Sequence, residues 1–291
     1  MKLNPMLILV LFLCIQAGHS NGIETSAYLE IVGTGIVDWA AGVFQTGAVG
    51  PPPEKKGEND EAEREKAFNA AKTRALKNML ALVMATRIDS LSSVRDIASK
   101  NEMVMAKVES LINGSKVSKQ EYLSDGTVEI TLQMNMYGGF AQLILPEEIK
   151  QIEDIKTVAG GKVAVPGSDS VSPPIMAAER YTGLVVDARG TQALPVLVPM
   201  IIDEKGKEVY GPAFASREFA VQQGVCRYMT DTESALRNPI VGENPLLVKG
   251  LRAEGNDRSR VVISNADASR LLNMSENLSF LKKCRVVIVL D

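Results

Sequence analysis

Ala67, Ala71 and Ala75 recur every four residues within a stretch running from about 60 to 85, and Leu76, Leu80 and Val83 continue an adjoining apolar stripe. That spacing puts the small side chains on one face of a helix. Small residues on a buried face let a helix backbone come close to whatever it covers, so the spacing predicts a long helix lying on a sheet. A second amphipathic helix is predicted over 94–112, through Ile97, Val104, Val108, Leu111 and Ile112. The period then changes to two. Segments 117–123 and 127–136 flank Ser124-Asp125-Gly126, a hairpin signal because Asp and Gly tolerate left-handed turn geometry. Val128, Ile130, Leu132, Met134 and Met136 alternate with Glu129, Thr131, Gln133 and Asn135, so one face is buried and the other wet.

Upstream of the long helix, 28–37 reads as a strand broken by Gly33 and Gly35, followed by a Gly- and Pro-rich stretch ending at Pro51-Pro52-Pro53. Downstream of the hairpin, a short acidic helix is predicted over 146–155. Residues 159–174 are Gly, Ser, Pro and Val without periodicity, a flexible connector by composition. Strands are then predicted at 183–188, 194–202, 207–210, 224–229, 246–251, 260–264 and 285–290, with helices at 216–222, 266–272 and 276–282. Asn265 is a candidate cap for the second of these helices. The expected fold class is α+β. It comprises a leader (1–20), a first domain (21–156), a connector (157–179) and a second domain (180–291), each domain a mostly antiparallel sheet packed with helices. Exposed strand edges, 128–136 foremost, are candidate assembly surfaces.

The leader reading rests on Lys2, an apolar run from Met6 to Ile15, and small residues at Gly18 and Ser20. That is the three-part pattern of a cleaved secretory signal, too short to span a membrane. Cleavage after Ser20 removes Lys2 and no acid, taking the net charge from −3 to −4. It also removes His19, the sole histidine, and Cys14. Histidine-based nucleophile activation and histidine-ligated zinc are then excluded by composition. A mildly acidic chain has no electrostatic reason to bind nucleic acid, and no later apolar run reaches membrane-spanning length. Two readings stand for the remaining cysteines, Cys226 and Cys284. Export favours a disulfide between them; otherwise they are buried free thiols acting as small hydrophobes.

Few residues suggest chemistry. Gly33 and Gly35 follow a strand, but Asp38 stands where a dinucleotide loop needs glycine, so close backbone packing is expected. Ser279 and Lys282 have Ser-x-x-Lys spacing without partner motifs, and Phe280 and Leu281 between them read as core. Asp203 and Glu204 read as turn residues. Asp187-Ala188-Arg189-Gly190 closes a buried strand, and an Asp/Arg pair there suits either a clamp on a ligand or partner or the satisfaction of a domain edge. Asp267 falls in the first turn of a helix, where negative charge is favoured. Asp187, Arg189 and Asp267 are the candidate ligand or partner contacts. No catalytic residue, cofactor or metal is expected.

The leader, the Gly33-Thr34-Gly35 strand, the Ala67/Ala71/Ala75 helix and the hairpin from Tyr122 to Met136 together resemble the LPP-twenty family of twenty-kilodalton outer-membrane lipoproteins, whose flagellar members include FlgP- and FlgT-like proteins. The likeness covers about 28–138. It implies a non-enzymatic, exported envelope scaffold, periplasmic or outer-membrane-associated, that assembles with copies of itself or with envelope or flagellar basal-body proteins. Family members carry a lipid on the first mature cysteine. Cys14 follows Leu13 inside the apolar run, so the expected form is soluble export with peripheral membrane association at most. The alternative from the residues alone is a periplasmic ligand-binding protein or carboxylate-dependent hydrolase built around Asp187, Arg189 and Asp267.

Overall fold

The computed structural model describes residues 26–52, 60–150, 180–255, 257–273 and 275–291. The leader and the connector fall outside the described residues. The chain is α+β, with two sheets and their helices.

The first half contains β1 (Leu29–Val32), β2 (Gly35–Asp38), β3 (Val43–Gly50), α1 (Asp60–Ala85), α2 (Val94–Ala98), α3 (Glu102–Asn113), β4 (Lys116–Tyr122), β5 (Val128–Asn135) and α4 (Gly139–Ile144). Its sheet is antiparallel throughout, in the order β1-β2-β3-β5-β4. The long helix lies on that sheet as the alanine stripe requires. Ala67, Ala71, Ala75, Met79 and Leu82 are buried beneath it. The sheet contributes the other half of the close approach through glycine. A Cβ on Gly50 would fall 2.0 Å from the Ala67 carbonyl oxygen, and one on Gly35 would fall 2.7 Å from Leu82 Cδ2. At such contact the sheet bonds the helix directly. The buried Thr46 hydroxyl donates to the Ala75 carbonyl (3.1 Å), and the Asn78 amide donates to the Gly47 carbonyl (3.0 Å).

Several expectations need correcting. The stretch read as one broken strand is a tight hairpin, β1 and β2, turned at Gly33 with φ of +60°. The glycine-rich stretch after it holds β3, which glycine content concealed because helix packing selected those residues. The helix expected over 94–112 is two, since Asn101 adopts extended backbone and its side chain caps α3 at Met103 and Val104. Residues 146–150 form turns, and the local helix is α4 just before them. Strand 128–136 is no edge: β5 sits between β3 and β4. The true edges are β1 and β4. β4 carries Lys116, Lys119 and a register irregularity, which discourage further pairing.

The second half contains β6 (Gly183–Asp187), β7 (Met200–Ile202), β8 (Glu208–Tyr210), α5 (Arg217–Gln223), β9 (Arg227–Met229), α6 (Thr232–Leu236), β10 (Pro245–Glu254), β11 (Arg260–Ile263), α7 (Asn265–Leu272), α8 (Ser275–Lys282) and β12 (Val286–Val289). The sheet order is β8-β7-β11-β10-β6-β12-β9. Four of its six pairings are parallel, so this sheet departs from the antiparallel one expected. The cause is visible in β6 and β12. Both are continuous aliphatic runs buried on both faces, the signature of strands covered on each side. Leu184, Val186 and Ile288 face the main core, whereas Val185, Val287 and Val289 join Met229, Ala235 and Val241 under α6.

The two sheets are tied into one molecule. Before entering the first sheet as β1, the chain pairs with the second. Ala27 bridges Met229, and the Thr230 N–H donates to the Ser26 carbonyl (2.9 Å). The main buried cluster runs through both halves without interruption. Three arginines span the seam by donating to carbonyls of the opposite half. Arg87 reaches Pro195 (2.9 Å) and Asp257 (3.1 Å). Arg217 reaches Gln142 and Pro146 (both 2.9 Å), capping the end of α4. Arg227 bonds the Ala40 carbonyl and lies over the Tyr137 ring.

Two outcomes are expected. Arg217→Ala strands the carbonyls ending α4 and is expected to cost about 1.5–3 kcal/mol, the usual worth of hydrogen bonds to a charged group. Chemical denaturation measures it, and an unchanged midpoint contradicts the capping role. Deleting residues 285–291 removes a strand interior to the sheet, so cooperative thermal melting by circular dichroism should be lost. A truncated chain that still melts cooperatively refutes β12 as a core strand.

Candidate functional site

The polar cluster flagged in the sequence lies at the ends of β6 and β12, beside the middle of the longer β10. Register places Lys249 of β10 and Val289 of β12 on either side of Asp187, the last residue of β6. The chain turns at Gly190, whose φ of +79° suits glycine. Arg189 folds back over this turn. Its Nε and Nη2 donate to the two oxygens of Asp187 at 2.9 and 3.0 Å, a fork on a carboxylate, and its backbone N–H adds a third bond at 3.2 Å. Lys249 Nζ stands 3.3 Å from the same carboxylate. The Gly190 N–H donates to the Asp291 carboxylate at 2.8 Å.

The electrostatics follow from those bonds. Hydrogen bonding from the Arg189 guanidinium, reinforced by its backbone N–H and by Lys249, holds the Asp187 carboxyl down to about 2. Its neighbour Arg189 is pushed up by the same carboxylate, with Asp231 and Asp291 adding smaller contributions. The guanidinium edge suited to clamping an anion is thus taken by Asp187. An external carboxylate or phosphate would have to displace an internal one. The cluster binds the turn after β6 to mid-β10 through Lys249 and to the residues after β12 through Asp291.

Asp267 has a separate task. Ser264 is the N-cap of α7, and the two exchange bonds: the Asp267 N–H donates to the Ser264 hydroxyl (3.0 Å), which donates to the Asp267 carboxylate (2.8 Å). The expected cap, Asn265, is instead the first helical residue, its N–H donating to Glu204 (3.0 Å). Arg270, one turn on from Asp267, donates to the Tyr181 hydroxyl (2.6 Å) ahead of β6. Asp267 therefore belongs to the start of β6 and Asp187 to its end. The structure brings Asp187 and Arg189 together and leaves Asp267 apart. A groove lies between α1 and α3 and is lined by none of the three.

Cys226 and Cys284 are free thiols in the core. Burial pushes Cys284 up to about 12 and Cys226 higher still. Of the two readings open from sequence, the structure has the buried thiols. Within the Ser-x-x-Lys segment Phe280 and Leu281 are core as expected, whereas Ser279 is exposed. Lys249 and Asp291 were not anticipated, because only the fold brings Lys249 to Asp187 and Asp291 to the Gly190 N–H.

Residues 183–291 match the family described as Treponema pallidum Tp0624, second domain. The match opens at the first residue of β6 and takes in every strand of the second sheet. No curated protein matches the chain.

The Asp187 bonds carry a pH signature. A carboxyl depressed in the folded state stabilises the fold fully above its unfolded value near 4, and that contribution fades as pH falls toward 2. Asp187→Asn should therefore lower the melting temperature at pH 7, and its deficit against the parent should shrink as pH drops from about 4 to about 2. A deficit that is constant with pH contradicts the assignment.

Proposed function

We propose that this chain is a non-enzymatic, exported envelope component that works by assembling with copies of itself or with envelope machinery. The observation that carries the reading is how the chain uses its side chains. Asp187, Arg189 and Asp267 are all bonded to the protein's own strand and helix ends. Meanwhile Leu29, Ile31, Leu91 and Met103 are held in solvent on ordered backbone. Polar groups that hold the molecule together, combined with apolar groups offered outward, suit association better than turnover.

The leader pattern supports export, and the loss of His19 with it supports a non-catalytic role. The resemblance of the first half to twenty-kilodalton outer-membrane lipoproteins points to the outer membrane or flagellar basal body as the place of assembly.

Light scattering coupled to size exclusion should find association that grows with concentration. Envelope fractionation should place the chain outside the cytoplasm, and deleting its gene should alter the envelope or motility. A strict monomer whose loss changes neither counts decisively against the proposal, as does substrate turnover at an enzyme-like rate.

A further inference from the structure

The strand that opens the first sheet has hydrogen-bonding groups on one edge that the fold does not use. The Trp39 N–H donates to the Tyr28 carbonyl at 3.1 Å. Bonded and unbonded pairs alternate along an antiparallel ladder, so Tyr28, Glu30 and Val32 turn their backbone groups toward β2. The same side of the strand meets β9 just upstream. There the Ser26 carbonyl accepts from Thr230 (2.9 Å) and the Tyr28 N–H donates to the Tyr228 carbonyl (3.4 Å). Ala27, Leu29 and Ile31 therefore turn their N–H and C=O groups the other way, where the described residues place no strand. Val32 pairs with Gly35, which faces α1, so Leu29 and Ile31 project from the sheet's other face, 47% and 61% exposed.

A free strand edge recognises one kind of occupant, another extended strand, through its backbone. We infer that this occupant is the same strand of a second copy, paired antiparallel about a two-fold axis at Leu29. In that register Leu29 faces Leu29 of the second copy, and Ala27 faces Ile31 in both directions. Every outward N–H and C=O of the three residues then meets a counterpart. The exposed leucines and isoleucines join into one apolar strip of cross-strand neighbours, which adds to the pairing.

Charge selects the register as well. An axis at Glu30 would set two carboxylates directly opposite, which is destabilising. It would also leave Ala27 against Gly33, a turn residue with φ of +60°. The axis at Leu29 sets Glu30 opposite Tyr28 instead, and Glu30 keeps its bond from the Trp39 indole of its own copy (2.8 Å). Two five-stranded sheets become one of ten. Such a contact is isologous and closes on itself, and the edges left outermost are the β4 strands with their lysines and irregular register. Assembly through β1 stops at a dimer. The inference rests on the scaffold reading and supplies its contact.

Sedimentation velocity on the purified chain from residue 21 onward should show a dimer that grows with concentration. Leu29→Lys sets two cations face to face at the axis and should weaken it about tenfold or more. Val117→Lys on the β4 edge should leave it unchanged. Both side chains are exposed, so thermal melts by circular dichroism should match the parent. Oxidation reads the register. Leu29→Cys brings two thiols opposite each other with Cα atoms about 5.5 Å apart, within disulfide reach, and should cross-link. Ile31→Cys, displaced along the strand, should not, and the buried Cys226 and Cys284 stay out of the reaction. If Leu29→Lys dimerises as well as the parent, β1 is not the contact and the scaffold reading stands. If Leu29→Lys weakens the dimer but Leu29→Cys fails to cross-link, antiparallel self-pairing is wrong. A parent that stays monomeric at every concentration overturns the inference, and the scaffold reading then survives only if deleting the gene alters the envelope or motility.

Discussion

Backbone carbonyls left at the ends of helices and loops are the constraint around which the two halves are joined. The end of α4, the loops around Pro195 and Asp257, and the turn at Ala40 all face the opposite half, where water is scarce. An unpaired carbonyl there costs about 1–3 kcal/mol. Arginine answers all three cases, because a planar fork with five donors satisfies several acceptors at once. Arg217 reaches α4, Arg87 reaches the two loops, and Arg227 reaches Ala40 while resting on the Tyr137 ring. Each charge is met by dipoles rather than by a carboxylate. The seam therefore avoids the desolvation of a second ion, which makes buried salt bridges poor value.

That seam governs what the surface can do. Arg87 is anchored to the second half by its guanidinium and by its carbonyl, and the exposed turn bearing Leu91 begins directly after it. A surface leucine held on ordered backbone loses less entropy on burial than a mobile one. The same logic separates the two free edges of the first sheet. β4 is guarded by lysines and an irregular register, whereas Leu29 and Ile31 leave β1 unguarded. The surface is uneven in a way that core packing does not require.

Periodicity was the most legible signal. The Ala67/Ala71/Ala75 stripe located α1 along its whole length, and alternation over 128–136 located β5 and its buried face. Failures came where a residue served a neighbour distant in sequence. Gly35 and Gly50 look like breakers, yet they lie in strands because α1 sits where their Cβ atoms would be. The parallel sheet was misjudged because a run such as Val286–Val289 states that a strand is buried but not which way its neighbours run. Register alone sets Lys249 beside Asp187 and brings Asp291 to the Gly190 turn, and nothing local in the sequence encodes it. The arginines of the seam were equally silent, since a cation that meets carbonyls leaves no paired acid to find. Of the candidate contacts, Asp187 and Arg189 were correctly read as a pair, and Asp267 was correctly placed in a first helical turn but wrongly joined to them.

The two buried thiols bear on the proposal of export. An oxidising compartment would be expected to consume free cysteines, yet oxidation proceeds through the thiolate. Desolvation is the main cause raising both groups, Cys284 to about 12 and Cys226 beyond it. At neutral pH the thiol form of both is therefore favoured over the thiolate. Tyr210, wholly buried beside them, donates to the Val225 carbonyl at 2.5 Å and closes the core next to Cys226. Reagent access would require the second sheet to open. Free cysteines and an oxidising destination are therefore compatible in this fold, because burial disfavours the thiolate and keeps the oxidant away from it.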